Sequence, residues 1–355
     1  MCSSDLTGAV LSGTPTKTGS YTFTIQVTDS TSATGTEQFT IVIGGLAITT
    51  SELPSAAVGT AYSQTLSVSG TAPYTWAIAQ GALPGGLTLD TSSGTISGTP
   101  QAAGSSSVTI QVTDSTNATA SAAFTLTVIS ASFTGLSSTA ASAQQLSGGL
   151  TLGAAYPQEI TGQVTLAFQP DSSLASPADD PAIQFSAGGT TASFTIPANS
   201  TAPVSFSLQT GTVAGTITLT VSWQAGGAAL AAPAALTQTI QIAPAVPAIN
   251  SVTATTTSSG FQVAITGYSN TREVSQAVLQ FTPASGQTLQ TTSLTVSLTN
   301  AATTWFQSST SDQYGSQFIL TLPFTVTNGS AGAIGSVSVE LVNGQGTSTS
   351  ASATL

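Results

Sequence analysis

Apolar and polar residues alternate along most of this chain. Tyr21, Phe23, Ile25 and Val27 fall on one side, and Thr22, Thr24, Gln26 and Thr28 on the other. A period of two puts one row in a core and the other in water, the mark of a half-buried strand. Phe39, Ile41 and Ile43 repeat the pattern, as do Tyr74, Trp76 and Ile78, the run Val108–Asp114, and Phe124, Leu126 and Val128. Beyond residue 130 it returns at Val164–Phe168, Phe194 and Ile196, Val204–Leu208, Ile217–Trp223, and Ile240 with Ile242. Phe261–Ile265, Ala277–Phe281, Leu294–Leu298, Phe318–Val326 and Val337–Leu341 close the series. Helical periodicity is almost absent. Strands this short, with turn residues at intervals of about eight to twelve, predict an all-β chain of sandwiches.

One stretch occurs twice. Ser97-Gly98-Thr99-Pro100, Gly104 and the strand ending Val112-Thr113-Asp114-Ser115-Thr116 stand about 85 residues after Ser12-Gly13-Thr14-Pro15, Gly19 and Val27-Thr28-Asp29-Ser30-Thr31, the fixed-period signature of a repeat. Four units are expected: the second half of a repeat at 7–44, a complete repeat at 45–130, a sandwich of a different kind at 131–243 and a last sandwich at 247–355. Pro244-Ala245-Val246-Pro247 reads as a stiff linker, because proline fixes its own φ and extends its predecessor. Met1–Leu6 have neither the basic nor the apolar region of a signal peptide. They precede a repeat that starts partway through, which reads as the cut edge of a longer protein.

Within 45–130 the ordered strings are more specific than any alternation. Leu53-Pro54, Val58-Gly59-Thr60-Ala61-Tyr62, Pro73-Tyr74-Thr75-Trp76, Leu83-Pro84-Gly85-Gly86-Leu87-Thr88-Leu89-Asp90, Gly94–Pro100 and Val112-Thr113-Asp114 resemble the bacterial putative-Ig repeat, a cadherin-like sandwich. The resemblance covers 45–130 fully and 7–44 as a half. It implies tandem Ig-like domains in an extracellular or cell-surface bacterial protein and implies no enzyme. Gly267–Val274, Trp305–Ser308 and Tyr314–Phe318 are similar to a C-terminal module of large surface proteins of Acidobacteria, to which no activity is attached.

Composition narrows the function. Charged residues are only 4% of the chain, and the formal net charge is -11 with two basic residues, Lys17 and Arg272. Two cations cannot neutralise a phosphate backbone, so nucleic acid is excluded as a partner. No apolar run reaches the length of a membrane helix, so membrane insertion by this segment is not expected. Cys2 is the single cysteine, so an internal disulfide is impossible. Histidine is absent, which rules out a Ser-His-Asp triad and a Cys-His pair. Only Lys17 could serve a Ser-Lys pair, and it lies in a loop. One lysine likewise excludes isopeptide crosslinks in at least three of the four units.

The acidic and aromatic residues leave two candidate chemistries. Asp179-Asp180, with Asp171 before and Pro181 after, is the one adjacent acidic pair. It reads as an Asp-Pro turn, or as a loop that ligates Ca²⁺ through hard oxygens. Asp29, Glu52 and Asp114 are further Ca²⁺ candidates, because cadherin-like domains often bind that ion at their junctions. The competing reading is favoured: without clustered acids, Asp29 and Asp114 cap their own turns. No other cofactor is expected. Trp76 and Trp223, on alternating strands, are expected in cores. Trp305 and Phe306, adjacent in a strand, would face opposite ways, so Trp305, Phe306 and Tyr314 form a candidate ligand surface. The expected role is a structural or adhesive segment whose partners are neighbouring repeats and a cell-surface protein or polysaccharide. The alternative is an accessory carbohydrate-binding region of a polysaccharide-acting enzyme.

Overall fold

The computed structural model describes residues 10–13, 15, 17–233, 236–327 and 330–355. Cys2, Leu6 and Thr14 of the first Ser-Gly-Thr-Pro turn lie outside them. The chain is all-β, 54% strand and 4% helix, built of tandem Ig-like sandwiches. It divides into two compact units, 1–128 and 129–355.

The first unit opens with a hairpin. Gly19–Thr28 pairs antiparallel with Thr34–Ile43, and Phe23 stands opposite Phe39. A complete sandwich follows. One sheet orders its strands Ala56–Ala57, Thr119–Ile129, Gly104–Thr113 and Thr75–Gly81; the other orders Tyr62–Thr65, Thr95–Gly98 and Leu87–Leu89. The stretch 62–69 serves two sheets. Tyr62–Thr65 joins the second sheet, and Val68–Ser69 pairs with Ala47–Ile48. Leu66 between them is buried, and its N–H donates to the Gly94 carbonyl. Trp76, Ile96, Ile110, Val112 and Leu126 form the core. Gly94 at φ +70° lets Trp76 in: a Cβ there would stand 2.5 Å from the indole.

The second unit holds two sandwiches. In the first, a four-stranded sheet runs Ala131–Thr134, Gln145–Leu152, Val204–Thr210, Ile183–Phe185. The larger sheet runs Thr139–Ala140, Thr237–Ile242, Gly215–Ala225, Ile160–Pro170, Thr191–Ile196. Trp223, as expected of its row, is buried with Ile160 and Ile196. In the last sandwich, Ala248–Thr257, Gly260–Tyr268 and Gln317–Thr325 form one sheet, and Ser293–Ser297, Gln276–Pro283 and Ile334–Asn343 lead the other. Phe261, Val263, Leu279, Val339 and Leu341 fill the space between.

The segment before Gln317–Thr325 departs from the strand pattern. Residues Thr299–Phe306 form helix α1, followed by a 3₁₀ turn at Ser311–Tyr314. Leu298 at its N-cap and Ala302, Trp305 and Phe306 along it are spaced at helical intervals and pack on the last core, the stripe an amphipathic helix requires.

Candidate functional site

The two Asp-Ser-Thr turns have the same geometry. Asp29 Oδ1 accepts from the Thr31 N–H at 2.8 Å, the Thr31 hydroxyl at 2.7 Å and the Ala33 N–H at 3.0 Å. Asp114 Oδ1 accepts from the Thr116 N–H at 2.8 Å, the Thr116 hydroxyl at 2.7 Å and the Ala118 N–H at 3.1 Å. Each turn continues through a left-handed residue, Ser32 at φ +66° and Asn117 at φ +64°, which closes a hairpin loop of this length. The hydroxyl bond, then the backbone bonds, hold the Asp29 carboxyl below the ordinary range. The Thr116 hydroxyl does the same for Asp114. Asp90 caps the Thr91–Ser93 turn through Ser92 and Ser93 and is lowered to about 2. Glu52 is exposed in a loop. Among the described residues, no three acidic or cysteine side chains gather in a group that could hold a metal ion.

Asp179 and Asp180 part company. Asp179 is exposed, whereas Asp180 is 4% exposed. Asp180 Oδ2 accepts from the Thr212 N–H, from the Thr212 hydroxyl at 3.0 Å and from the Val213 N–H at 2.9 Å, while Oδ1 takes the Ala182 N–H at 3.0 Å. Both carboxylate oxygens are thus occupied by donors of the chain itself. The Asp-Pro turn is present, since the Ile183 N–H donates to the Asp180 carbonyl at 2.9 Å, and its buried carboxylate also orders Thr212, which reaches the last sandwich. The Thr212 hydroxyl it holds accepts from the Ser316 N–H at 3.0 Å, and the Ser316 hydroxyl donates to the Thr212 carbonyl at 2.7 Å. Gly315, at φ +62°, must be glycine, since a Cβ there would lie 2.5 Å from Asp180 Oδ1.

Arg272 stands on the other side of the same joint. It is 2% exposed and donates to the carbonyls of Gly315 and Phe306, to Ser311 Oγ at 2.9 Å and to Asp312 at 3.0 Å. Its guanidinium carbon lies 5.4 Å from the centre of the Phe306 ring. Burial lowers its pKa from the usual value, and Asp312 opposes that shift; the group stays charged, as arginine does in proteins. Asn270 completes the joint, donating to Ser142 Oγ at 2.9 Å and the Ala243 carbonyl at 2.8 Å and accepting from the Ala245 N–H at 2.8 Å. Sequence reasoning registered Arg272 only as a scarce cation. The available signal was the polar run Ser269-Asn270-Thr271-Arg272 between apolar strands.

The aromatic candidates do come together, though not as a strand would place them. On α1, Trp305 and Phe306 are about 100° apart around the axis and both turn towards the core. Phe306 is buried, and Trp305 is half-buried with its indole N–H on the Gln317 carbonyl at 3.0 Å. The exposed member is Tyr314, with 51% of its surface free. The Trp305 and Tyr314 rings lie 6.2 Å apart, tilted by 30°. They flank a groove of 660 Å³ that Asn250, Thr266, Gln317 and Ile319 also line.

Residues 5–44 and 46–129 match the family model described as Putative Ig domain. The match covers about a third of the chain. The first stretch holds the hairpin Gly19–Ile43, and the second holds the sandwich before residue 130. No curated protein sequence matches the chain. Among solved structures, the I9–I11 tandem of titin aligns at 10% identity over 88% of this chain and 97% of that one, with a TM-score of 0.25. A tetra-tandem repeat from the extending region of a large adhesion protein aligns at 15% identity over 95% of this chain and 82% of that one, with a TM-score of 0.25. A Bacteroides fragilis protein described as a putative alpha-galactosidase/melibiase aligns at 22% identity over 24% of this chain, with a TM-score of 0.22; the aligned part spans 18% of that protein's length.

Proposed function

We propose that this chain is a non-catalytic structural and adhesive segment of a secreted or cell-surface bacterial protein. The observation that carries the reading is the tandem architecture: Putative Ig domains followed by two further sandwiches. Stacked repeats of this kind set a distance and present surfaces along it. The chemistry agrees. Without histidine, the commonest general base near neutral pH is missing. The carboxylates Asp29, Asp90, Asp114 and Asp180 are spent on the chain's own N–H and hydroxyl groups. Beads coated with the chain test the reading. Retention on bacterial cell walls or extracellular matrix, above albumin-coated beads, is expected. Retention equal to albumin on every surface, or hydrolytic turnover proportional to protein concentration, overturns it.

The groove beside Trp305 keeps the second reading in play, an accessory carbohydrate-binding region of a polysaccharide-acting enzyme. A hydrolase domain encoded in the same gene would favour it over the first. For calcium, the occupied carboxylates lead to one expectation: equal melting temperatures in excess Ca²⁺ and in chelator. A rise of several degrees with Ca²⁺ would reveal a site through ligand linkage.

A further inference from the structure

We propose that the groove between α1 and the sheet strand Gln317–Thr325 binds a neutral glycan chain. The inference rests on the adhesive reading and names its ligand class. Its volume of 660 Å³ suits a small oligomer. Trp305 forms one wall, and its N–H is already committed to the Gln317 carbonyl, so the ring is a fixed plate rather than a mobile side chain. Tyr314, tilted by 30° against it, offers a second plate that is half exposed. Fixed plates cost little entropy on binding, and the C–H faces of pyranose rings stack on such surfaces.

The polar lining is equally particular. Asn250 stands at the irregularity between Ile249 and Ser251, where the register of Ala248–Thr257 shifts. Its amide and that of Gln317 are exposed and make no side-chain hydrogen bond within the described residues. A carboxamide offers donors and acceptors together, which matches the paired hydroxyls of a sugar. No Asp, Glu, Lys or Arg lines the groove, so a phosphorylated, sulfated or uronic acid ligand finds no counter-charge. Ile319, 78% exposed at the rim, is apolar surface that a bound ring would cover. A proline-rich peptide also uses aromatic grooves, but one aromatic pair gives few slots for successive prolines.

The test is affinity electrophoresis of the full chain through gels containing glucomannan, xyloglucan, galactomannan or mixed-linkage β-glucan, with Trp fluorescence titration by the matching hexasaccharides. Retardation by at least one polymer is expected. Tyr314→Ala and Asn250→Ala, both at exposed positions, should weaken that binding about tenfold or more at an unchanged melting temperature. Three results overturn the proposal: no retardation by any polymer, retardation indifferent to both substitutions, or saturable binding of a proline-rich decapeptide alone. Bead adhesion without retardation by any polymer sinks the glycan site and leaves the adhesive reading standing. Glycan binding without bead adhesion does the reverse.

Discussion

Two hairpins in the first unit share a sequence pattern and a register yet differ in where their side chains lie. Phe23 faces Phe39 across the first, and Val108 faces Phe124 across the second. Their turns are capped by the same bonds. In the second hairpin, however, Ile110 and Leu126 are wholly buried, while their counterparts Ile25 and Ile41 are 40% and 37% exposed. The cause is the partners. Gly104–Thr113 pairs on its far side with Thr75–Gly81, and a second sheet faces it. Among the described residues, no third strand joins Gly19–Thr28 and Thr34–Ile43. Alternation and turn chemistry set strand, register and loop. Burial, and with it most of the stability, comes from elsewhere in the fold, since two strands alone are marginal in water.

The largest test supplies the missing partners. Fusing a second copy of residues 46–89 ahead of Asp5 should turn the first hairpin into the back half of a sandwich. Amide protection at Ile25 and Ile41 should rise by about three orders of magnitude, towards the global stability of a small domain. Unchanged protection would break the comparison, because burial would then depend on more than partners. Next, Ile110→Ala should cost about 2–5 kcal/mol in denaturant unfolding, and Ile25→Ala no more than about 0.5 kcal/mol. Equal losses would mean that the exposed face is covered in solution.

The smaller tests concern what the hairpins share. Asp29→Ala and Asp114→Ala should each loosen their own loop to the same small extent, read as faster amide exchange at Ala33 and Ala118. A large effect at one alone would show that the identical caps do different work. The smallest effect is acid-dependent. Asp90 lies at about 2 when folded against an ordinary 3.8. Its caps therefore stabilise the repeat above pH 3.8, and that contribution disappears as pH falls towards 2. Asp90→Asn should flatten this limb of the unfolding curve, and an unaltered limb would assign it to other carboxylates.

The strands and both capped turns were legible in the sequence, because each depends on neighbours two to four residues away. So was the core placement of Trp76 and Trp223, which follows from their alternating rows. Helix α1 was not. Thr299-Asn300-Ala301-Ala302-Thr303-Thr304 is rich in weak helix formers, and no side chain caps its start. Its helicity comes from packing Leu298, Trp305 and Phe306 on the core beneath. The aromatic trio was found by residue type while its geometry was misread, since adjacent residues diverge in a strand and lean together on a helix. Asp180 was the hardest case. Proline after it marks the turn that it does form, but the partners that bury its other oxygen, Thr212 and Val213, stand more than 30 residues away and meet it only when its sandwich folds.

The clamp on Ala243 and Ala245 has a mechanical consequence. Asn270 holds the carbonyl of one and the N–H of the other, and Asn343 takes the Ala245 carbonyl at 2.9 Å. Tension pulling these two sandwiches apart would not pass along the backbone of Pro244–Pro247 alone. It would be shared in parallel with these side-chain amides, the Thr212–Ser316 pair and the Asn270 carbonyl that accepts from Ala214. The joint therefore acts as a riveted splice, and its first yielding event under load is the shearing of these hydrogen bonds rather than the straightening of a tether.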